Sequence, residues 1–165
     1  MKIIALLDAL CETASKILLL LGGIMLVGMM CLACANMFMR GAMNDPIRGT
    51  YELMGFFGAL VCSLALAPTQ IRKGHIALTM FQGKLPARME QAIDALSHLA
   101  CGAFFALVAW RTTLYGYSLI EFGELSEDLH LVFHPFVFTV ALGCGMLALT
   151  LINDFLKALL GVEAK

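Results

Sequence analysis

Six cysteines and four histidines are the residues through which this 165-residue chain could do chemistry. Cys31-Leu-Ala-Cys34 has the CxxC spacing used in thiol–disulfide exchange. A pair of histidines facing each other at equal depth in a helical bundle would hold a haem. Acidic or basic side chains within apolar helices would mark an ion or proton path. Which of these is open to the chain depends on the elements that carry the residues.

Those elements are written in the gaps between charges. Residues 17–39, 53–71, 95–110 and 129–153 contain no Asp, Glu, Lys or Arg. Three of these stretches run about 19 to 25 residues, enough at about 1.5 Å per residue to cross a hydrocarbon core of about 30 Å. The third is about 16 residues long, and Arg111 at its end can snorkel its guanidinium to the interface. A backbone in lipid must satisfy its own hydrogen bonds, so the stretches are helices. The reading is an all-α integral membrane protein, one domain over 1–165, with spans at about 17–39, 51–71, 92–114 and 132–153. With 61% hydrophobic residues, little of the chain is left for a soluble domain.

Residues 2–16 do not suit a signal peptide, because Asp8, Glu12 and Lys16 interrupt the apolar run. They suit an amphipathic helix: Ile3, Leu7, Leu10 and Ala14 share one face, and the three charges follow i,i+4 spacing on another. Two placements are open for it, flat in the interface or as an inward extension of the first span.

Basic residues set the expected orientation. With the N-terminus cytoplasmic, inner segments hold Lys2, Lys16, Arg72, Lys73, Lys84, Arg88, Lys157 and Lys165, against Arg40, Arg48 and Arg111 outside. The positive-inside rule then puts both termini in the cytoplasm, and the expected location is a bacterial inner membrane.

Against this topology the chemistry thins out. Five cysteines fall within spans and Cys11 on the inner segment, so none meets an oxidising outer loop, and Cys31 and Cys34 read as small packing groups. That also removes a quinone-linked disulfide oxidant, which needs reactive outer pairs. His75 and His98 lie near the inner ends of spans and His130 and His134 on the outer side, a poor arrangement for axial ligands. Asn36, Ser63 and Thr139 are the main polar groups inside spans, with no charged partner, so an autonomous carrier is disfavoured. A small membrane redox or haem subunit is the alternative kept. No catalytic residue, cofactor, metal or nucleic-acid partner is expected.

Punctuation and packing signals fill in the rest. Gly41, Asn44-Asp45-Pro46 and Gly49 mark a turn, with Thr50 as the expected N-cap of the second span and Glu52 in its first turn. Pro86 and Pro135 suit helix starts, with His134 just outside the fourth helix. Trp110, Tyr115 and Tyr117 read as an aromatic belt. Gly55, Ala59, Ser63 and Ala67 recur every fourth residue, and Gly102/Ala106 and Ala141/Gly145 repeat the step. Such stripes let helices approach closely, either within the four-span unit or against another polytopic subunit.

One stretch points to a family. Arg40, Asn44 and Pro46 precede Glu52 at the head of the second span; Gly58-Ala59 lies within it and Arg72-Lys73-Gly74-His75-Ile76 at its inner end; Leu85-Pro86-Ala87-Arg88 follows. This resembles the small membrane subunit (DctQ-like, Q-type) of tripartite ATP-independent periplasmic (TRAP) transporters, over roughly residues 30–140. The chain departs from the family pattern before the fourth span, where Ser126 is followed by Glu127-Asp128 and the proline comes late, at His134-Pro135-Phe136.

The resemblance implies a non-enzymatic accessory subunit. Its partners would be a large membrane subunit (DctM-like, M-type) that carries the substrate and Na⁺ sites, and a periplasmic substrate-binding protein for a small organic anion, a carboxylate or sulfonate. The Q-type subunit would enlarge the static anchor of the large subunit among membrane lipids. Within that frame Arg40, Asn44, Glu52, Gly55, Ala59, Ser63, Arg72, His75 and Trp110 are the expected structural or interface residues. Glu52 and Arg40 would brace the outer ends of the first two spans, or else serve only the helix dipole and the interface. The Arg72–His75 turn would meet headgroups or the large subunit. Glu121, Glu124, Glu127 and Asp128 would dock the binding protein, or form a merely solvated acidic loop.

Overall fold

The computed structural model describes residues 2–71, 87–126 and 129–160. Four helices make up the fold: α1 (Lys2–Ala42), α2 (Thr50–Ile71), α3 (Ala87–Phe122) and α4 (His134–Leu160). Each contains a stretch long and apolar enough to cross a membrane, and four crossings return both termini to one side. The protein is therefore an all-α, multi-pass membrane protein.

The charge-free stretches locate the helices but not their ends. Residues 2–16 continue directly into the first span as one helix to Ala42. They contain neither Gly nor Pro, and Lys16 bonds Glu12 one turn back at 2.8 Å, so nothing separates them as an interfacial segment. α3 does not stop near residue 114. Arg111 is no helix breaker, and the helix runs on to Phe122, where Gly123 (φ 64°) donates its N–H to the Leu119 carbonyl at 3.1 Å and turns the chain away. At the other end of the next loop, the Phe133 carbonyl accepts from the amides of Phe136 and Val137 at 3.1 and 3.3 Å. Phe133 thus occupies the cap, His134 is inside α4 rather than before it, and Pro135 sits in the first turn, where its missing N–H costs nothing.

The four helices do not close on themselves. α4 packs on α3, α2 and, more briefly, α1, and α1 packs on α2; among the described residues α3 touches no other helix than α4. The core consequently lies between α1, α2 and α4, built from Leu18, Leu60, Leu64, Ala67, Leu147 and Leu151. In lipid such packing is won by close approach, not by escape from water. Among the glycines at described helix–helix contacts the closest approach is at Gly143 of α4, where a Cβ would lie 2.5 Å from the carbonyl oxygen of Ser63 in α2. Gly22 meets Leu64 and Gly102 meets Leu151, each at 3.5 Å from the position of a Cβ.

Candidate functional site

Two loops meet at the end of the bundle opposite the termini. The first leaves α1 at Asn44, whose positive φ of 56° is a conformation asparagine tolerates. Asn36, still inside α1, reaches up with its side-chain oxygen and accepts the Ile47 amide at 3.0 Å, pinning the loop to its own helix. The chain then enters α2 through Gly49, at φ 70°, whose carbonyl accepts the Leu53 amide at 3.0 Å. Gly49 therefore fills the capping position expected of Thr50. The Thr50 hydroxyl instead donates to the Ile47 carbonyl at 2.7 Å, and the residue is only 1% exposed. The reason is steric: a Cβ at position 49 would overlap the side chain of Leu129, as well as having to adopt positive φ.

The second loop, between α3 and α4, is folded on itself. Leu125 and Val132 form an isolated antiparallel bridge, Ser126 donates its amide to the Leu131 carbonyl at 2.9 Å, and His130 (φ 51°) donates to the Ser126 carbonyl at 3.2 Å. Glu52 joins the two loops. From the first turn of α2 its carboxylate oxygen Oε2 accepts the Leu129 amide at 3.3 Å, across a sequence separation of 77 residues. Beneath this contact the Phe56 ring of α2 stacks on Phe136 at 4.6 Å and meets Phe133 edge-on at 5.3 Å. The aromatic pairs extend the junction from main chain into side chain, each adding about 1 kcal/mol beyond its area.

The expected interface residues separate into distinct environments. Arg40 is exposed in the last turn of α1, where a cation suits the helix dipole, and Glu52 accepts the Leu129 amide of the opposite loop. Asn44 is exposed in the loop. Gly55 and Ala59 are exposed, with nothing within 4 Å of a Cβ at Gly55, whereas Ser63 and Ala67 are buried. A stripe with four-residue spacing advances about 40° per step around a helix of 3.6 residues per turn, so its two ends cannot face one neighbour. Trp110 is 68% exposed on α3. Glu121 is exposed in the last turn of α3 and Glu124 in the loop beyond it. Arg72, His75, Glu127 and Asp128 lie outside the described residues.

Sequence reasoning read Gly49 only as a turn former and not as the cap of α2, and it missed the contacts of Leu129 and Gly143. Gly49 carried a signal, a glycine one residue before a helix with an acidic first turn. Leu129 carried none, since it is its backbone amide that makes the bond. No disulfide joins any of the six cysteines, and among the described residues no three His, Cys, Asp or Glu gather as a metal site.

What the junction offers is attachment: backbone amides, a carboxylate and stacked rings that fix two loops together. An open array of apolar helices with this loop junction defines a multi-pass membrane protein. Residues 29–161 match the family model described as tripartite ATP-independent periplasmic transporters, DctQ component, and the chain belongs to that family. It is thus a non-catalytic accessory subunit of the TRAP transporter type. Comparison with curated proteins and with solved structures gives no match.

Proposed function

We propose that this chain is the anchor of a Na⁺-coupled TRAP transporter for a small organic anion, a carboxylate or sulfonate. It binds the stationary part of a DctM-like large subunit and holds it against tilting while another part of that subunit moves substrate. The observation that carries this reading is the open helix array. Among the described residues α3 leans on α4 alone, and α1 and α3 present apolar faces that include Leu20, Ile24, Phe104, Leu107 and Trp110, all more than half exposed. In such an array a partner's helices have room to pack without displacing a contact already made.

In this account the chain lies in a bacterial inner membrane with both termini cytoplasmic, as its basic residues favour. The junction of Glu52 and Leu129 is then on the periplasmic side. It holds the loop bearing Glu124, with Glu121 at the end of the adjoining helix, in a fixed position for a substrate-binding protein. Na⁺ and substrate belong to the large subunit. Purifying the tagged chain from native membranes in mild detergent tests the reading: a stoichiometric, larger polytopic partner supports it, and the chain alone, in a preparation that preserves other membrane complexes, rejects it.

A further inference from the structure

Arg111 ends a charge-free stretch in the sequence, which suggests a place beside the outer interface, but α3 continues eleven residues beyond it to Phe122. The helix contacts fix its depth. α3 runs antiparallel to α4: a Cβ on Gly116 would lie 3.0 Å from the Phe138 ring, and one on Gly102 would lie 3.5 Å from Leu151 Cβ. Counting between these two contacts sets Arg111 level with Gly143, the residue of α4 that presses on Ser63 of α2. At about 1.5 Å per residue Ser63 is about 16 Å inward of Glu52, and Gly143 about 16 Å outward of Asp154. That is the middle of a core of about 30 Å. Sliding the array outward would not rescue Arg111, because residues 53–62 and 135–142 above its level carry no charge and would enter water.

We propose that Arg111 pairs within the membrane with a carboxylate side chain on a helix of the larger subunit, the Tyr115 hydroxyl donating to the same group. The inference rests on the accessory-subunit reading and names what the partner brings to the α3 face.

Direction is the first argument. At about 100° per residue Arg111 lies about 180° round the helix from Gly102 and about 140° from Gly116, so it points away from α4. Arg111 is exposed, and Tyr115, one turn outward and 56% exposed, shares its side of α3. Among the described residues neither the guanidinium nor the phenol hydroxyl has a hydrogen bond or ion pair. A cation and a hydroxyl at this depth need an acceptor, and a forked guanidinium beside a phenol is a receptor for a carboxylate.

Distance excludes the other sources of negative charge. Along the helix axes Glu52, Glu121 and Asp154 are each about 15 Å or more away. Lipid phosphates outside the core are about as far, roughly twice the length of an arginine side chain. A second copy of the chain in the same orientation would bring another Arg111 to the same depth, and like charges repel. A helix of the larger subunit, packed on the open face of α3, can present Asp or Glu at the required level.

The complex is purified in mild detergent from native membranes, with the tagged chain unaltered, as Arg111→Leu or as Arg111→Lys. Relative to the unaltered chain, Arg111→Leu should lower recovery of the larger subunit at least about tenfold, and Arg111→Lys, which keeps the charge, should lower it less. Helix content by circular dichroism should stay the same. A photoreactive residue in place of Leu114, beside Arg111 on the same face, should crosslink to a peptide of the larger subunit that contains Asp or Glu. Exchanging the charges, with Arg111→Glu here and Arg at that acidic position there, should restore recovery and serves should Arg111→Leu lose helix content. Leucine suits lipid better than arginine, so an Arg111 that merely faces lipid predicts recovery in Arg111→Leu unchanged or raised. That result overturns the proposal, as does capture of lipid at position 114, a crosslinked peptide without Asp or Glu, or failure of the charge exchange. Each of these leaves the accessory-subunit reading standing, because recovery with the unaltered chain is read separately.

Discussion

The carboxylate of Glu52 and the backbone amide of Leu129 are joined at 3.3 Å, linking the start of α2 to the loop between α3 and α4. α2 and α3 make no direct contact among the described residues, so this bond ties the α3–α4 loop to the α1–α2 end of the array by a route other than α4. An open arrangement has few ways to fix its outer helix. The junction is one of them, and its parts can be removed singly.

Glu52→Ala removes the acceptor and leaves a half-buried amide without it. A hydrogen bond to a charged group is worth about 1.5–3 kcal/mol, and partial exposure lowers the expected loss to about 1 kcal/mol. Glu52→Gln keeps an acceptor and loses less. Thiol-labelling rates at His130→Cys should rise in the first background and change little in the second; equal rates in both would remove the junction from the account.

Two glycines with positive φ should respond differently. Gly49→Ala strains the backbone and meets the side chain of Leu129, whereas Gly123→Ala strains the backbone in open space. The strain alone costs about 1–2 kcal/mol. Unfolding in detergent should therefore show Gly49→Ala to be the more damaging, by about 1 kcal/mol or more from overpacking.

A third contrast lies within α4. Gly143→Ala would place a methyl 2.5 Å from the Ser63 carbonyl, and α2 and α4 must part to admit it; at Gly145 nothing lies within 4 Å. Overpacking of this kind costs about 1–3 kcal/mol, and Gly145→Ala should gain up to about 1 kcal/mol through helix propensity. Thermal unfolding of the two variants gives the comparison, and equal midpoints would show that the α2–α4 approach is looser than described.

Near the other end of the array, Gln70 Nε2 donates to Asp154 Oδ2 at 3.1 Å, again between α2 and α4. Gln70→Ala and Asp154→Ala should be non-additive, with a coupling of about 0.5–1 kcal/mol for a part-buried bond. Strict additivity in a double-mutant cycle would mean that the pair does not hold the helices together.

The membrane spans were legible because lipid excludes charge, and a gap in the charges is a one-dimensional signal. Helix ends were less so: Arg111 marked a possible water boundary, but the backbone needed Gly123 to stop. Thr50 has the side chain of a cap, yet positive φ and the press of Leu129 gave the place to Gly49. The stripe from Gly55 to Ala67 was visible as spacing, but its division into an exposed and a buried half follows from helical drift and from where α4 lies. The partner of Glu52 was not legible, since a main-chain amide 77 residues away leaves no mark in residue type. The family was legible from short motifs around the second span, because their order along a four-span topology is itself specific.

The central claim is that the open helix array is completed by a larger membrane subunit. The most direct test is mild-detergent purification of the tagged chain from native membranes, alongside a Leu107→Lys, Trp110→Lys variant of the exposed α3 face. The account expects a much larger polytopic protein at fixed stoichiometry with the unaltered chain, and its loss from the variant while helix content stays the same. Recovery of the unaltered chain alone, from membranes in which other complexes survive the same detergent, would contradict it.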